Sequence, residues 1–175
     1  GSYTVTVTSS GCSATSAPTT VTVNPTPATP TITPVGPITF CLGGSVTLTS
    51  SAGSSYLWSD GSTSQAITVS SSGSYTVTIT NGGCSATSAP TSVTVNPTPG
   101  TPTITVNGPT SFCAGDSVEL TSSAAASYLW SNGATTAVLP NLTEGGTYSV
   151  TVNDGNCTAT SSKTISVTPS PTAII

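Results

Sequence analysis

Five cysteines, Cys12, Cys41, Cys84, Cys113 and Cys157, are the residues of this chain best suited to chemistry, and their spacing suggests cross-linking. Cys12, Cys84 and Cys157 form one series, 72 and 73 residues apart; Cys41 and Cys113 form another, 72 apart. The chain has no His and no close CxxC pair, so a zinc site is not expected. Two pairings stay open. Cys41 with Cys84 and Cys113 with Cys157 would close one loop in each repeat, contributing on the order of 4 kcal/mol in the chain-entropy model, and would leave Cys12 unpaired. Cys12 with Cys41 and Cys84 with Cys113 would staple successive repeats and leave Cys157 over. The first set is preferred, because each repeat could then fold alone. Either set implies an oxidising compartment.

Nothing else assembles into a catalytic site. A hydrolase needs a nucleophile beside a base, or two carboxylates across a cleft. Asp116 and Glu119 lie three apart, but the aligned residues one repeat earlier are Gly44 and Thr47. Lys163 would serve an isopeptide cross-link, yet it has no counterpart in the other copies. Asn153 to Asn156 reads as a turn and not as a calcium loop. No enzyme activity, cofactor or metal is expected. Asn141-Leu-Thr and Asn156-Cys-Thr match the glycosylation sequon, and Asp116-Ser-Val matches a bacterial O-glycosylation motif.

The charge balance narrows the partners. Charged residues make up 3% of the chain, the net charge is −4 and Lys163 is the one basic side chain, while Ser and Thr supply roughly four residues in ten. A nucleic-acid groove needs several Lys or Arg to displace counterions, and attraction to anionic lipid needs them too, so neither partner is expected. No apolar run reaches the length that crosses a bilayer, so membrane insertion is not expected.

Those cysteines belong to a tandem array. Gly1 to Pro25 returns as Gly73 to Pro97 with 21 of 25 positions identical, and returns more loosely from Gly146. The predicted division is a partial repeat over 1–25, complete repeats over 26–97 and 98–169, and the start of another over 170–175. On that division Cys12 is unpaired by truncation. Within a repeat, segments such as Ser45-Val-Thr-Leu-Thr and Tyr75-Thr-Val-Thr-Ile-Thr alternate apolar and polar residues, the pattern of strands buried on one face. Asp60-Gly61, Asn81-Gly82, Asn132-Gly133 and Asp154-Gly155 are hairpin turn pairs. Helix periodicity is missing. The fold class expected is all-β: tandem immunoglobulin-like, PKD-like antiparallel β-sandwich domains joined by Pro-rich linkers.

A domain of this size needs a dense core. Trp58 and Trp130 are expected to fill it, with Tyr56 on the same strand face as Trp58. Tyr75 and Tyr148 are expected in the core as well; Tyr75 opens the penultimate strand after a Ser/Gly corner, where a tyrosine corner sits in immunoglobulin-like sandwiches. The same topology raises an objection to the preferred disulfides. It places Cys41 and Cys84 at opposite ends of the sandwich, beyond the reach of a bond, so either the strand order or the pairing must differ.

The ordered string Cys41-x-Gly-x-Ser-Val-x-Leu-Thr, Tyr-Leu-Trp-Ser-x-Gly, Gly-x-Tyr-x-Val-Thr, Gly-x-Cys and Val-Thr-Val-x-Pro resembles the Ig-like and PKD-like repeats of large Bacteroidota cell-surface adhesins. These include gliding-motility adhesins exported by type IX secretion. The resemblance implies β-sandwich repeats strung into an extracellular stalk or filament at the cell surface, with no catalytic residues. Its partners would be neighbouring repeats of the same chain and other copies in a fibre. Pro-rich connectors such as NPTPATPTITP would hold successive domains apart semi-rigidly. Two rival readings are an array that binds surface glycans through exposed aromatics, and a passive spacer in a secreted multidomain enzyme.

Overall fold

The structure is a computed structural model that describes residues 1–171, and every regular element among them is a strand. The chain separates into two compact units. One comprises Gly1–Gly36, Val46–Val69 and Gly73–Val93; the other comprises Pro37–Ser45, Ser70–Ser72 and the residues from Thr94 onward.

The first unit opens with β1 (Ser2–Tyr3), β2 (Thr6–Ser9), β3 (Cys12–Thr15) and β4 (Thr19–Thr20), in which β1 pairs with β4 and β2 with β3, both antiparallel. Every residue of these four strands is exposed. β5 (Ile32–Val35) follows, and then β6 (Thr39–Cys41), which belongs to the second unit. β7 (Val46–Ser50), β8 (Ser55–Trp58), β9 (Ala66–Val69), β10 (Gly73–Tyr75), β11 (Val77–Asn81) and β12 (Cys84–Thr87) complete the sandwich together with the head of β13 (Thr91–Asn96). One sheet has the order β5-β7-β9 and the other β12-β11-β8, with β10 pairing to β13. Pro34 is tolerated in β5 because that strand lies at a sheet edge.

The second unit carries β14 (Ile104–Asn107), β15 (Ser111–Cys113), β16 (Val118–Ser122), β17 (Ser127–Trp130), β18 (Val138–Leu142), β19 (Gly146–Asn153) and β20 (Thr158–Thr168). Its sheets run β14-β16-β18 and β15-β20-β19-β17. Side chains from both close over one core made of Phe112, Val118, Leu120, Trp130, Leu139, Val150, Val152 and Ile165. Alternation decides which residues enter it. In β16 Val118 and Leu120 are buried while Glu119 and Thr121 are only half-buried on the other face. The equivalent positions Val46, Leu48, Trp58, Ile67, Val77, Ile79 and Val93 are buried in the first unit. The all-β antiparallel sandwich expected from the alternation is therefore the observed fold.

Trp58 and Trp130 are each 2% exposed, and each indole Nε1–H donates to a backbone carbonyl at 2.8 Å, that of Ser64 and that of Thr136. A buried Trp needs such a partner for its one polar atom. Tyr148 is half-buried, and its hydroxyl donates to the Glu144 carbonyl at 3.0 Å, four residues back. Tyr75 is half-buried at the corresponding place. Behind each Trp the chain turns at Gly61 (φ 88°) and Gly133 (φ 87°), a left-handed geometry that favours glycine.

The polar faces are tied by hydroxyls. Thr6 and Thr15, Thr78 and Thr87, and Thr151 and Thr160 face each other across antiparallel strands with Oγ1 to Oγ1 distances of 2.8, 2.8 and 2.9 Å. The connectors are anchored as well. Pro30 and Pro102 are buried, and just beyond them Thr31 and Ser51, and Thr103 and Ser123, exchange two hydrogen bonds each.

Candidate functional site

Among the described residues, the feature with covalent chemistry lies where a strand end meets a turn, wholly inside the second unit. β6 runs parallel to the tail of β13, with Cys41 in register with Asn96. The Leu42 N–H donates to the Asn96 carbonyl at 2.8 Å, fixing Cys41 at that end. Cys157, 2% exposed, sits after the turn that follows β19, with its sulfur 3.9 Å from the same Asn96 oxygen. Cys41 and Cys157 form a disulfide with Cα atoms 5.8 Å apart and a sequence separation of 116. That Cα separation is ordinary for a disulfide.

This pairing corrects both sets expected from spacing. Cys12, Cys84 and Cys113 are free thiols, so neither Cys41–Cys84 with Cys113–Cys157 nor Cys12–Cys41 with Cys84–Cys113 is formed. Strand geometry gives the reason. Cys113 is in register with Thr168 at the far end of β20, whereas Cys157 immediately precedes the strand's first residue. The 11 residues of β20 hold those two thiols about 35 Å apart. In the repeat before, Cys41 is likewise in register with the last residue of β13, and Cys84 comes at the start of β12. That distance excludes the first set; the second fails because Cys41 takes Cys157, the late cysteine of the following repeat and not of the preceding one.

A short acidic turn presents Cys157. The Asp154 carboxylate accepts backbone N–H bonds from Cys157 at 2.8 Å and Asn156 at 2.9 Å, and the Asn153 side chain accepts one from Gly155 at 2.7 Å. The bonds from Cys157 and then Asn156 hold the Asp154 carboxyl below the ordinary Asp range, because they favour its charged form. The turn reading of residues 153–156 agrees with this geometry.

A counterpart lies in the first unit. The Cys84 sulfur is 3.6 Å from the Asn24 carbonyl, and the Asn24 amide donates to the Gly82 carbonyl at 2.5 Å. Asn24 stands to Cys84 as Asn96 stands to Cys157. Sequence reasoning missed these asparagines, although the shared string Val-Thr-Val-Asn-Pro before each connector marked them.

The remaining candidates do not converge. Glu119 accepts a hydrogen bond from Asn107 at 2.7 Å, while the backbone N–H of Asp116 donates to Cys113. Lys163 stands opposite Tyr148 in the β19 and β20 pairing. Asn141 and Asn156 are both exposed. Among the described residues no group of three or more His, Cys, Asp or Glu could hold a metal ion. The surface concavities are shallow; one is lined by Pro99, Pro102, Ala125, Asn153 and Asp154, another by Asn132, Asn141, Glu144 and Tyr148. Neither Trp lines them.

No family model and no curated protein matches the chain. A solved structure that it resembles is a chain from the crystal structure of a mouse coronavirus receptor-binding domain complexed with its murine receptor. The identity is 14%, the TM-score 0.41, and the match covers 79% of this chain and 100% of that one.

Proposed function

We propose that the chain is a structural segment of an extracellular surface adhesin or filament, built from immunoglobulin-like repeats that provide extension and mechanical stability. The observation that carries this reading is the Cys41–Cys157 bond, which joins residues of two successive sequence repeats. A binding or catalytic module gains little from such a tie, whereas a load-bearing array gains a covalent link from one sequence repeat to the next. The bond also accords with an oxidising compartment outside the cell. Anchored connector prolines and a surface with a single basic residue fit a shaft that must resist bending and trypsin-like cleavage.

Glycan binding by the repeats is the weaker reading, because the two Trp side chains that would stack on a sugar ring are 2% exposed. Partners on the favoured reading are neighbouring repeats and other copies in a fibre. Negative-stain images of the native assembly test it. A continuous fibre with an axial repeat of roughly 30–40 Å per sandwich is expected from the strand lengths. Isolated globules on flexible tethers would return the chain to a spacer of a larger secreted enzyme.

A further inference from the structure

We infer that the free thiols Cys84 and Cys113 are two halves of the bond that Cys41 and Cys157 already make. Each is built to pair with the complementary cysteine of an adjoining repeat, giving a disulfide ladder along the array. This concerns the joint alone and stands whether or not the array ends in an adhesive tip.

Three equivalent positions carry the argument, Asn24, Asn96 and Thr168, each 72 residues from the next, the last two ending strands. At Asn96 both cysteines are present: Cys41 in register with it and Cys157 against its carbonyl, and they are bonded. At Thr168 the early cysteine is set in the same way. Ser111, Phe112 and Cys113 pair with Ser166, Val167 and Thr168 as Thr39, Phe40 and Cys41 pair with Thr94, Val95 and Asn96. The Ala114 N–H donates to the Thr168 carbonyl at 2.9 Å as Leu42 does to Asn96 at 2.8 Å. At Asn24 the late cysteine is set, with the Cys84 sulfur 3.6 Å from the carbonyl against 3.9 Å for Cys157 at Asn96. Each of these free thiols thus occupies a place whose equivalent, one repeat along, is engaged in a disulfide.

The rule follows directly. The cysteine of the short parallel strand in one repeat bonds the cysteine after the late hairpin turn in the next. Cys113 is matched to the late cysteine of a following repeat, and Cys84 to the early cysteine of a preceding one. Closing each bond removes two protons and two electrons from two thiols; a small-molecule disulfide such as oxidised glutathione accepts both and leaves as two thiols.

Two tandem duplications within the full chain test this. In one, residues 98–169 are repeated in sequence; in the other, residues 26–97 are repeated; a Ser/Thr exchange near each cysteine of the added copy gives its peptides a distinct mass. Both chains are oxidised with glutathione, alkylated without reduction, digested and mapped by mass spectrometry. The first should link Cys113 to the Cys157 of the added copy, with alkylation of Cys113 falling from complete to nearly none while the added copy's own Cys113 becomes labelled. The second should link the upstream Cys41 to the downstream Cys84. In both, the link from Cys41 to Cys157 reports that the native joint has folded. With that link present, Cys113 or the downstream Cys84 still alkylated, or joined within its own repeat, overturns the ladder. Loss of that link from both chains overturns it as well, since an array of identical joints must accept another copy.

Discussion

Cys41 and Asn96 sit side by side on parallel strands, and the carbonyl between them and Cys157 marks where one sequence repeat is tied to the next. Parallel pairing is what brings an early residue of a repeat to its last strand residue. From that placement the behaviour of the joint can be anticipated.

Replacing Cys157 with Ala should lower the stability of the second unit by about 5 kcal/mol, the chain-entropy value for a loop of this length. Calorimetry of wild type and variant, each with and without reductant, checks it. The two should coincide once reduced, and Cys12→Ala should leave the oxidised profile unchanged, since Cys12 is free. Equal melting of oxidised wild type and C157A would show that the tie contributes nothing to folding.

Under pulling force the bond should hide chain length. The 116-residue separation corresponds to about 400 Å of extended polypeptide that cannot be released while the disulfide is intact. Force spectroscopy should show that increment only after reductant is added. An oxidised chain that extends to its full contour length would exclude the Cys41–Cys157 connection.

Trp130→Ala should cost about 3–5 kcal/mol, because the indole is buried in the core between Leu120, Val150 and their neighbours and leaves a cavity. The adjacent Leu129, 55% exposed, should tolerate Ala to within about 0.5 kcal/mol. Urea titrations followed by circular dichroism separate the two. The comparison also bears on the sugar-stacking alternative, in which Trp130 would matter to binding more than to folding.

Acid should loosen the turn that holds Cys157. Backbone N–H groups of Cys157 and Asn156 lower the Asp154 carboxyl, so its folded pKa lies below its unfolded one. The stabilisation is therefore present above the ordinary Asp value of about 4 and is lost as pH falls through the folded value. The stability difference between wild type and Asp154→Asn should be constant at neutral pH and shrink as pH falls below the ordinary Asp range. A difference that persists unchanged in strong acid would mean that the charge is not what matters.

Much of the sandwich was legible in the residues. The alternation of Val118, Glu119, Leu120 and Thr121 names the buried face of β16, and the repeated Trp in Tyr-Leu-Trp-Ser names the core aromatic, because period and bulk leave few other places for them. Cysteine pairing was less readable. Spacing sorts the thiols into an early and a late class, but it does not say which repeats meet. That depends on β6 lying parallel to the tail of β13, a long-range pairing of three short residues with no local signature. The objection that opposite ends of a sandwich cannot be bridged pointed the right way; the solution it required was a partner in the adjoining repeat. Asn24 and Asn96 escaped notice because an asparagine before a proline looks like ordinary loop chemistry.

The paired hydroxyls on the outer faces carry one more consequence. Cohesion that relies on Thr78 with Thr87 and Thr151 with Thr160, in a chain that is 3% charged, offers dissolved ions almost nothing to shield. Each sandwich made this way should keep the same stability in river water and in brine.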